Sequence, residues 1–340
     1  MAGKISTPGA RPVLTAPPPE LARIDVRAAA ARLAGVVRTT ALAPFDPGDE
    51  RLELRLKLEC QQETNSFKAR GAWNQISQLT PRERAAGVVT TSSGNHGRAV
   101  AWAARRAGVR ATIVMPAQTY PNKIEACRAE GAEVVLLPTR EEAERECARR
   151  AAEGAVLVHP YKQARTIEGA GTVGLELAHQ WPEVEVALFP TGGGGLVAGS
   201  SLALVSELGE RVHVIGVEPE GAPNLTQSLE AGEVVPLERI TTAVQGLCPL
   251  DTGELNLALA ERYLSGTILL SDEEIYAGQK VLVRAGLTVE PAGAAAFAAV
   301  LHRALPPELL EGRSRSNPLR VAAVISGGNP DPAQIERLLG

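Results

Sequence analysis

Two hydrophobic periods take turns along this chain, and that exchange constrains its fold more than any other feature. Short apolar runs at 87–91, 111–115, 133–137, 155–158, 184–189, 212–217 and 321–325 have the length of strands. Between them, residues 98–107, 122–130, 140–153, 169–181 and 196–208 carry apolar side chains at helical spacing. Leu52, Leu54, Leu56 and Leu58 alternate with charged residues and read as a half-buried strand. Asp25 precedes a helix over 26–33, and Ser271 with Glu274 forms a capping box for a helix reaching 285. Strands that alternate with helices, several of them continuous apolar runs, specify an α/β fold of mostly parallel sheet covered on both faces. Eight or nine strands are more than one compact sheet needs in 340 residues, so the sequence predicts two open, twisted sheets in two domains. The expected boundaries are 20–79 with 160–340 for a large domain and 80–159 for a small one. Residues 1–19, with five prolines, are expected to be a mobile tail.

In open α/β sheets, ligands collect outside the carboxyl ends of the strands. The glycine-rich and polar clusters fall there. Gly192, Gly193, Gly194 and Gly195 follow the strand at 184–189 and open a helix. Four glycines let backbone N–H groups converge at the positive end of that helix, which makes a phosphate cradle. The Lys-Ser/Thr pair of a P-loop is missing, so a nucleoside triphosphate is not the expected ligand. Ser92, Ser93, Gly94, Asn95 and His96 follow the strand at 87–91 and can hold a carboxylate. An N-cap serine beside a surface histidine is the plainer account of the same residues. Ser326 ends the last strand, where a turn cap is the plain account.

Lys68 is one of six lysines. It opens a helix just past the strand at 52–58, beside Phe67, with Ser66 as the expected N-cap. Next to an apolar ring an ammonium loses solvation and its pKa falls. A lysine in that state can form a Schiff base with a carbonyl cofactor. For a lysine standing alone, a solvated helix position is the simpler reading; the clusters above change that. The run 169–174 matches G-x-G-x-x-G, but the polar stretch before it is no strand. These glycines are therefore expected to pack a helix start rather than bind a dinucleotide.

Composition removes other classes. A net charge of −4 offers no basic field for nucleic acid. No apolar run approaches the roughly 20 residues of a membrane span, and the N-terminus lacks the apolar core of a secretory signal. Cys60, Cys127, Cys147 and Cys248 contain no C-x-x-C pair, which argues against a disulfide framework or a zinc site and suits a reducing cytoplasm. Neither the histidines nor Glu290 show metal-ligand spacing, so no metal is expected. Arg313 and Arg315 read as a solvated loop.

Together, Ser66-Phe67-Lys68-Ala69-Arg70-Gly71, Ser92-Ser93-Gly94-Asn95-His96, Gly192 to Gly195 and Ser326-Gly327-Gly328-Asn329 resemble, in order and spacing, the motifs of the fold-type II pyridoxal-phosphate enzymes. Within that group the likeness is to the serine/threonine dehydratases and serine racemases, and it runs from about residue 38 to the C-terminus. The resemblance implies a fold like the tryptophan synthase β subunit, an active site between the domains, pyridoxal 5'-phosphate as cofactor and a homo-oligomer, dimer or tetramer. It implies that Lys68 carries the cofactor and then acts as acid and base. Phe67 would pack beside the ring, Asn95 bond its phenolic oxygen, Gly192 to Gly195 hold the phosphate and Ser326 face the pyridine nitrogen. Ser92, Ser93 and His96 would dock the substrate carboxylate, with Ser93 a candidate second base on the face opposite Lys68.

A neutral Ser326 does not keep the ring nitrogen protonated, which favours loss of a β leaving group over transamination. The expected reaction is β-elimination from L-threonine and/or L-serine, giving a 2-oxo acid and ammonia. The alternatives are a serine racemase, a 3-hydroxyaspartate dehydratase, or a cofactor-binding protein without turnover. Asn65 departs from the glycine of many dehydratases, and 243–248 lacks the Ala-Asp-Gly often found there. Glu218, Ala222 and Asn224 align with a cation site of the racemases, but Asn224 replaces an aspartate, so weaker cation binding is expected. The short stretch after the last strand suggests no appended regulatory domain and a catabolic-type enzyme.

Overall fold

A computed structural model of the chain describes residues 5–6 and 18–339. The first half runs β1 (Ile5–Ser6), α1 (Val26–Leu33), β2 (Leu42–Phe45), β3 (Leu52–Lys57), α2 (Lys68–Ile76), α3 (Pro81–Ala86), β4 (Val88–Thr91), α4 (Asn95–Ala107), β5 (Ala111–Pro116), α5 (Pro121–Ala129), β6 (Glu133–Leu137), α6 (Arg140–Ala152) and β7 (Val156–Leu157). The second half runs α7 (Ala164–Gln180), β8 (Val186–Pro190), α8 (Gly195–Leu208), β9 (His213–Pro219), α9 (Asn224–Ala231), α10 (Glu254–Tyr263), β10 (Gly266–Leu270), α11 (Asp272–Arg284), α12 (Pro291–Leu301), β11 (Leu319–Val324) and α13 (Pro332–Leu339).

The strands form two sheets, one in the order β1-β10-β9-β8-β11-β3-β2 and one in the order β6-β5-β4-β7. Pairing is parallel except β1 on β10 and β2 on β3. Period two explains how the larger sheet is buried on both faces. Val186 and Leu188 of β8 join the core cluster that contains Phe297 of α12. Ala187 and Phe189 face the cluster with Leu177 of α7 and Leu204 of α8.

Helix α2 links the two sheets. Ala69, Ala72 and Ile76 enter the core of the smaller sheet, beside Val88, Val100 and Ile113. Arg70, on the opposite side, enters a buried ionic cluster. Its Nε and Nη2 donate to the Glu59 carboxylate at 2.8 and 2.7 Å, and its Nη1 donates to Glu176 at 2.7 Å. Lys57 Nζ donates to the other Glu176 oxygen at 2.7 Å. Two cations meet two anions, and Arg70, Glu59 and Lys57 have no exposed surface. Burial alone raises a carboxyl pKa; here the Arg70 guanidinium overcomes it and holds Glu59 below its ordinary range.

Two sequence expectations change. The glycines of 169–174 lie inside α7, which begins at Ala164, not at a helix start. They let helices touch backbone to backbone: a Cβ on Gly169 would stand 2.6 Å from Arg70 O, and one on Gly171 2.7 Å from Gly199 O. Arg313 is not solvated loop; it donates twice to Glu185, at 2.8 and 3.2 Å. The stretch expected as a tail lies mostly outside the described residues; within it, Ile5–Ser6 pairs antiparallel with β10. Among the described residues no helix is long and apolar enough to cross a membrane.

Candidate active site

After β3 the chain makes two 3-10 turns, Glu59–Gln61 and Glu63–Asn65, and Thr64 and Asn65 take left-handed backbone at φ 60° and 57°. That reversal lays the next residues along the exit turn of β11. Ser66 bridges Gly327, the Phe67 N–H donates to Ser326 O at 3.1 Å, and the Gly328 N–H donates to Asn65 O at 2.8 Å. Two segments 260 residues apart in sequence are thereby stitched together. Ser66 is not the N-cap of α2. Phe67 holds that position without a side-chain bond, and the buried Ser66 hydroxyl has no partner. The bridge to Gly327 fixes Ser66 in extended backbone one residue too early to cap.

Lys68 is the first residue of α2. Its Nζ donates to Pro160 O at 2.9 Å and lies 4.9 Å from the Phe67 ring centre. No carboxylate pairs with it among the described residues, and burial draws its pKa down from 10.5 to about 8. A small cavity joins Phe67, Lys68 and Pro160 to Gly195 at the start of α8.

The glycine loop follows from its neighbours. Gly194 takes φ +85° and occupies the N-cap of α8 with no side chain to cap it, so the first-turn N–H groups keep no side-chain acceptor. A Cβ on Gly193 would overlap the Tyr161 ring. Gly193 O accepts from Asn256 Nδ2 at 2.6 Å and Thr252 Oγ1 at 3.0 Å, and Gly192 O accepts from Asn224 Nδ2 at 3.2 Å. Tyr161 OH donates to Asp251, which also pairs with Lys162 at 2.7 Å. Sequence reasoning did not single out Tyr161, Thr252 or Asn256. No local pattern marks residues that meet the loop only in three dimensions.

The loop after β4 leads into α4. Ser92 is partly exposed, Ser93 exposed, and Ser92 Oγ accepts from the Gly94 N–H at 3.3 Å. Asn95 begins α4 and is held from both ends: its Nδ2 donates to Glu290, and its Oδ1 accepts from Asn329 Nδ2 at 2.8 Å. His96 is buried rather than at the surface. Its Nε2 lies 2.9 Å from Val158 O, and burial, then the Lys68 charge, pushes its pKa down to about 3. The neutral ring that donates to Val158 keeps a bare Nδ1, which accepts and cannot donate to a carboxylate. Glu218, by contrast, is taken up structurally. It accepts from the N–H groups of Leu225 and Thr226 and from Thr226 Oγ1, and burial raises its pKa to about 7.

The donor set is of the kind a phosphorylated carbonyl compound needs: an amine with a lowered pKa lies across a gap of about one water from an uncapped helix N-terminus walled by glycine, and the buried Ser326 is stitched to the lysine segment. The family model described as "Pyridoxal-phosphate dependent enzyme" matches residues 33–327. The L-threonine ammonia-lyase of Thermotoga maritima is 39% identical over 320 residues, covering 93% of this chain and 77% of that protein. The serine racemase of Oryza sativa subsp. indica is 34% identical over 312 residues, covering 90% of each. Among solved structures, the processed form of threonine deaminase isoform 2 from Solanum lycopersicum superposes with a TM-score of 0.87 at 29% identity, covering 99% of this chain and 97% of that one.

Proposed function

From the premise that the chain belongs to the pyridoxal-phosphate-dependent enzymes, we propose that it eliminates water from L-threonine and/or L-serine, releasing a 2-oxo acid and ammonia. The observation that carries this reading is the Lys68 amine, free of any carboxylate among the described residues and lowered to a pKa of about 8, in one cavity with the N-terminus of α8. When bound, the cofactor supplies an electron sink for charge developing at the substrate Cα.

The chain's own residues do the rest. The N–H groups around Gly192, Gly193, Gly194 and Gly195 hold the phosphate. Phe67 packs against the cofactor ring, and the Asn95 amide donates to its phenolic oxygen. Ser326, a neutral hydroxyl, would face the ring nitrogen without bringing negative charge to it. Ser92 and Ser93 with the loop N–H groups orient the substrate carboxylate. His96 supports that loop through Val158. Lys68, near neutrality in pKa, takes the proton from Cα and can return it. The same reading carries a homo-oligomer, dimer or tetramer.

A serine racemase is the second reading, and the exposed hydroxyl of Ser93 favours it as a proton carrier on the other face. Incubation of the purified protein with L-threonine, L-serine and 3-hydroxyaspartate, with ammonia, 2-oxo acid and D-serine all measured, separates the readings. The expected outcome is 2-oxo acid and ammonia in equal amounts from L-threonine or L-serine. D-serine as the main product would replace the lyase with the racemase, and no turnover of any of the three would leave a binding protein.

A further inference from the structure

Glu290 is a buried carboxylate that none of these steps uses. It stands at the N-cap of α12, yet its side chain caps nothing there. Instead it accepts from Asn95 Nδ2, across 195 residues of chain. Gly327 makes that contact possible. A Cβ on Gly327 would overlap Glu290 Oε1 and stand 2.9 Å from Asn95 Nδ2, so glycine lets the β11 exit turn pass over the pair. The Glu290 N–H donates to Gly327 O at 3.1 Å and ties the helix start to the same turn.

Asn95 is thus gripped at two points. Its oxygen meets Asn329 Nδ2, and Asn329 is itself oriented: its Nδ2 also donates to Thr64 O at 2.8 Å, and its Oδ1 accepts from Arg98 at 2.7 Å. An amide with an acceptor at nitrogen and a donor at oxygen has one orientation, because a flip sets donor against donor and acceptor against acceptor. Without Glu290 the amide hangs from Asn329 alone and swings about that one bond. Burial raises the Glu290 carboxyl's pKa, against the Asn95 bond, the Lys123 charge and a bond from the Asn329 backbone. Protonated or not, the group can still offer a lone pair to Asn95.

We propose that Glu290 is a positioning residue that fixes the Asn95 amide with its nitrogen toward the cofactor's phenolic oxygen, and that it acts on the cofactor only through Asn95. This rests on the role given to Asn95 above. The contact spans two elements far apart in sequence.

The test titrates cofactor-free protein with pyridoxal phosphate and reads the dissociation constant and the visible absorbance maximum. The proteins are wild type, Glu290→Ala, Glu290→Gln, Asn95→Ala and the double Asn95→Ala/Glu290→Ala. Losing one hydrogen bond to an ionisable acceptor should weaken binding about tenfold in Glu290→Ala and move the absorbance maximum in the same direction as Asn95→Ala. Glu290→Gln keeps an acceptor oxygen and should stay within about threefold of wild type. Adding Glu290→Ala to Asn95→Ala should cost no further affinity, because the residue it acts through is already gone. A plain packing defect gives the opposite: full additivity and an unmoved absorbance maximum. Either result, or wild-type binding in Glu290→Ala beside weakened Asn95→Ala, overturns the proposal. Wild-type behaviour of Asn95→Ala removes the Asn95 role and the proposal with it. If Glu290→Ala does not fold, Glu290→Leu fills the volume without an acceptor and carries the same expectation.

Discussion

Replacing Arg70 with methionine should destabilise the protein by about 3–5 kcal/mol, the cost of breaking a buried pair from one side. The figure follows from what is left behind. Arg70 donates twice to Glu59, twice to Glu176, and once each to Thr172 Oγ1 and Arg38 O. Glu176 keeps Lys57 at 2.7 Å. Glu59, with no exposed surface, keeps only the Thr40 hydroxyl as a side-chain donor among the described residues, and the cluster's charge becomes −1. Methionine restores some packing but no donor. Guanidinium unfolding of wild type and variant, both saturated with cofactor, measures the loss as a midpoint shift at common slope.

Removing Glu59 as well should restore most of it. Arg70→Met/Glu59→Gln leaves Lys57 and Glu176 balanced and should lie within about 2 kcal/mol of wild type. The pH dependence has a definite sign. The Glu59 pKa is depressed in the folded protein, so its stabilisation is present above the ordinary value of 4.5 and lost as pH falls through the lower folded one. The Arg70→Met deficit should therefore be largest near neutrality and shrink in acid. A single-variant loss under about 1 kcal/mol, or a double variant no better than the single, would show that the cluster is not a mutually dependent ionic unit.

Three further outcomes are expected. Ser326→Asp should still bind the cofactor, but eliminate more slowly and release transamination products; an unchanged product distribution by chromatography would show that Ser326 does not act on the ring nitrogen. Ser93→Ala should keep most elimination of L-serine while any D-serine formation falls steeply, since only the second fate needs a donor on the far face; collapse of elimination with substrate still bound contradicts Lys68 as the sole base. Uptake of pyridoxal phosphate by the cofactor-free protein should rise with pH with a midpoint near 8, because burial favours the free amine of Lys68; a midpoint at the ordinary 10.5 would refute that desolvation.

The parts of this molecule that were legible in its sequence are those set by neighbours in the chain. The alternation of β8 with α8, and of β4 with α4, appears as a change of apolar period with a glycine or polar cluster at each strand end. The Asp25 cap and the Ser271–Glu274 box are four-residue signals, and both form as read. What was hidden depends on residues far apart. Ser66 looked like a cap because a helix follows it, but Gly327 claims its backbone. The glycines of 169–174 read as packing at a helix start, but they lie inside α7, because the sequence does not show which helices must touch. Helix α12 carries no polar residue in Pro291–Leu301, so it has no period to read, and Glu290 at its head gave no sign of reaching Asn95.

The central claim is that one lysine of six holds the cofactor. Protein reconstituted with pyridoxal phosphate can be reduced with borohydride, digested and mapped by mass spectrometry. The reduced cofactor should be found on Lys68 alone, and a Lys68→Ala variant should show no bound visible band and no release of 2-oxo acid. A label on any other lysine, or a Lys68→Ala protein that still eliminates, would contradict it.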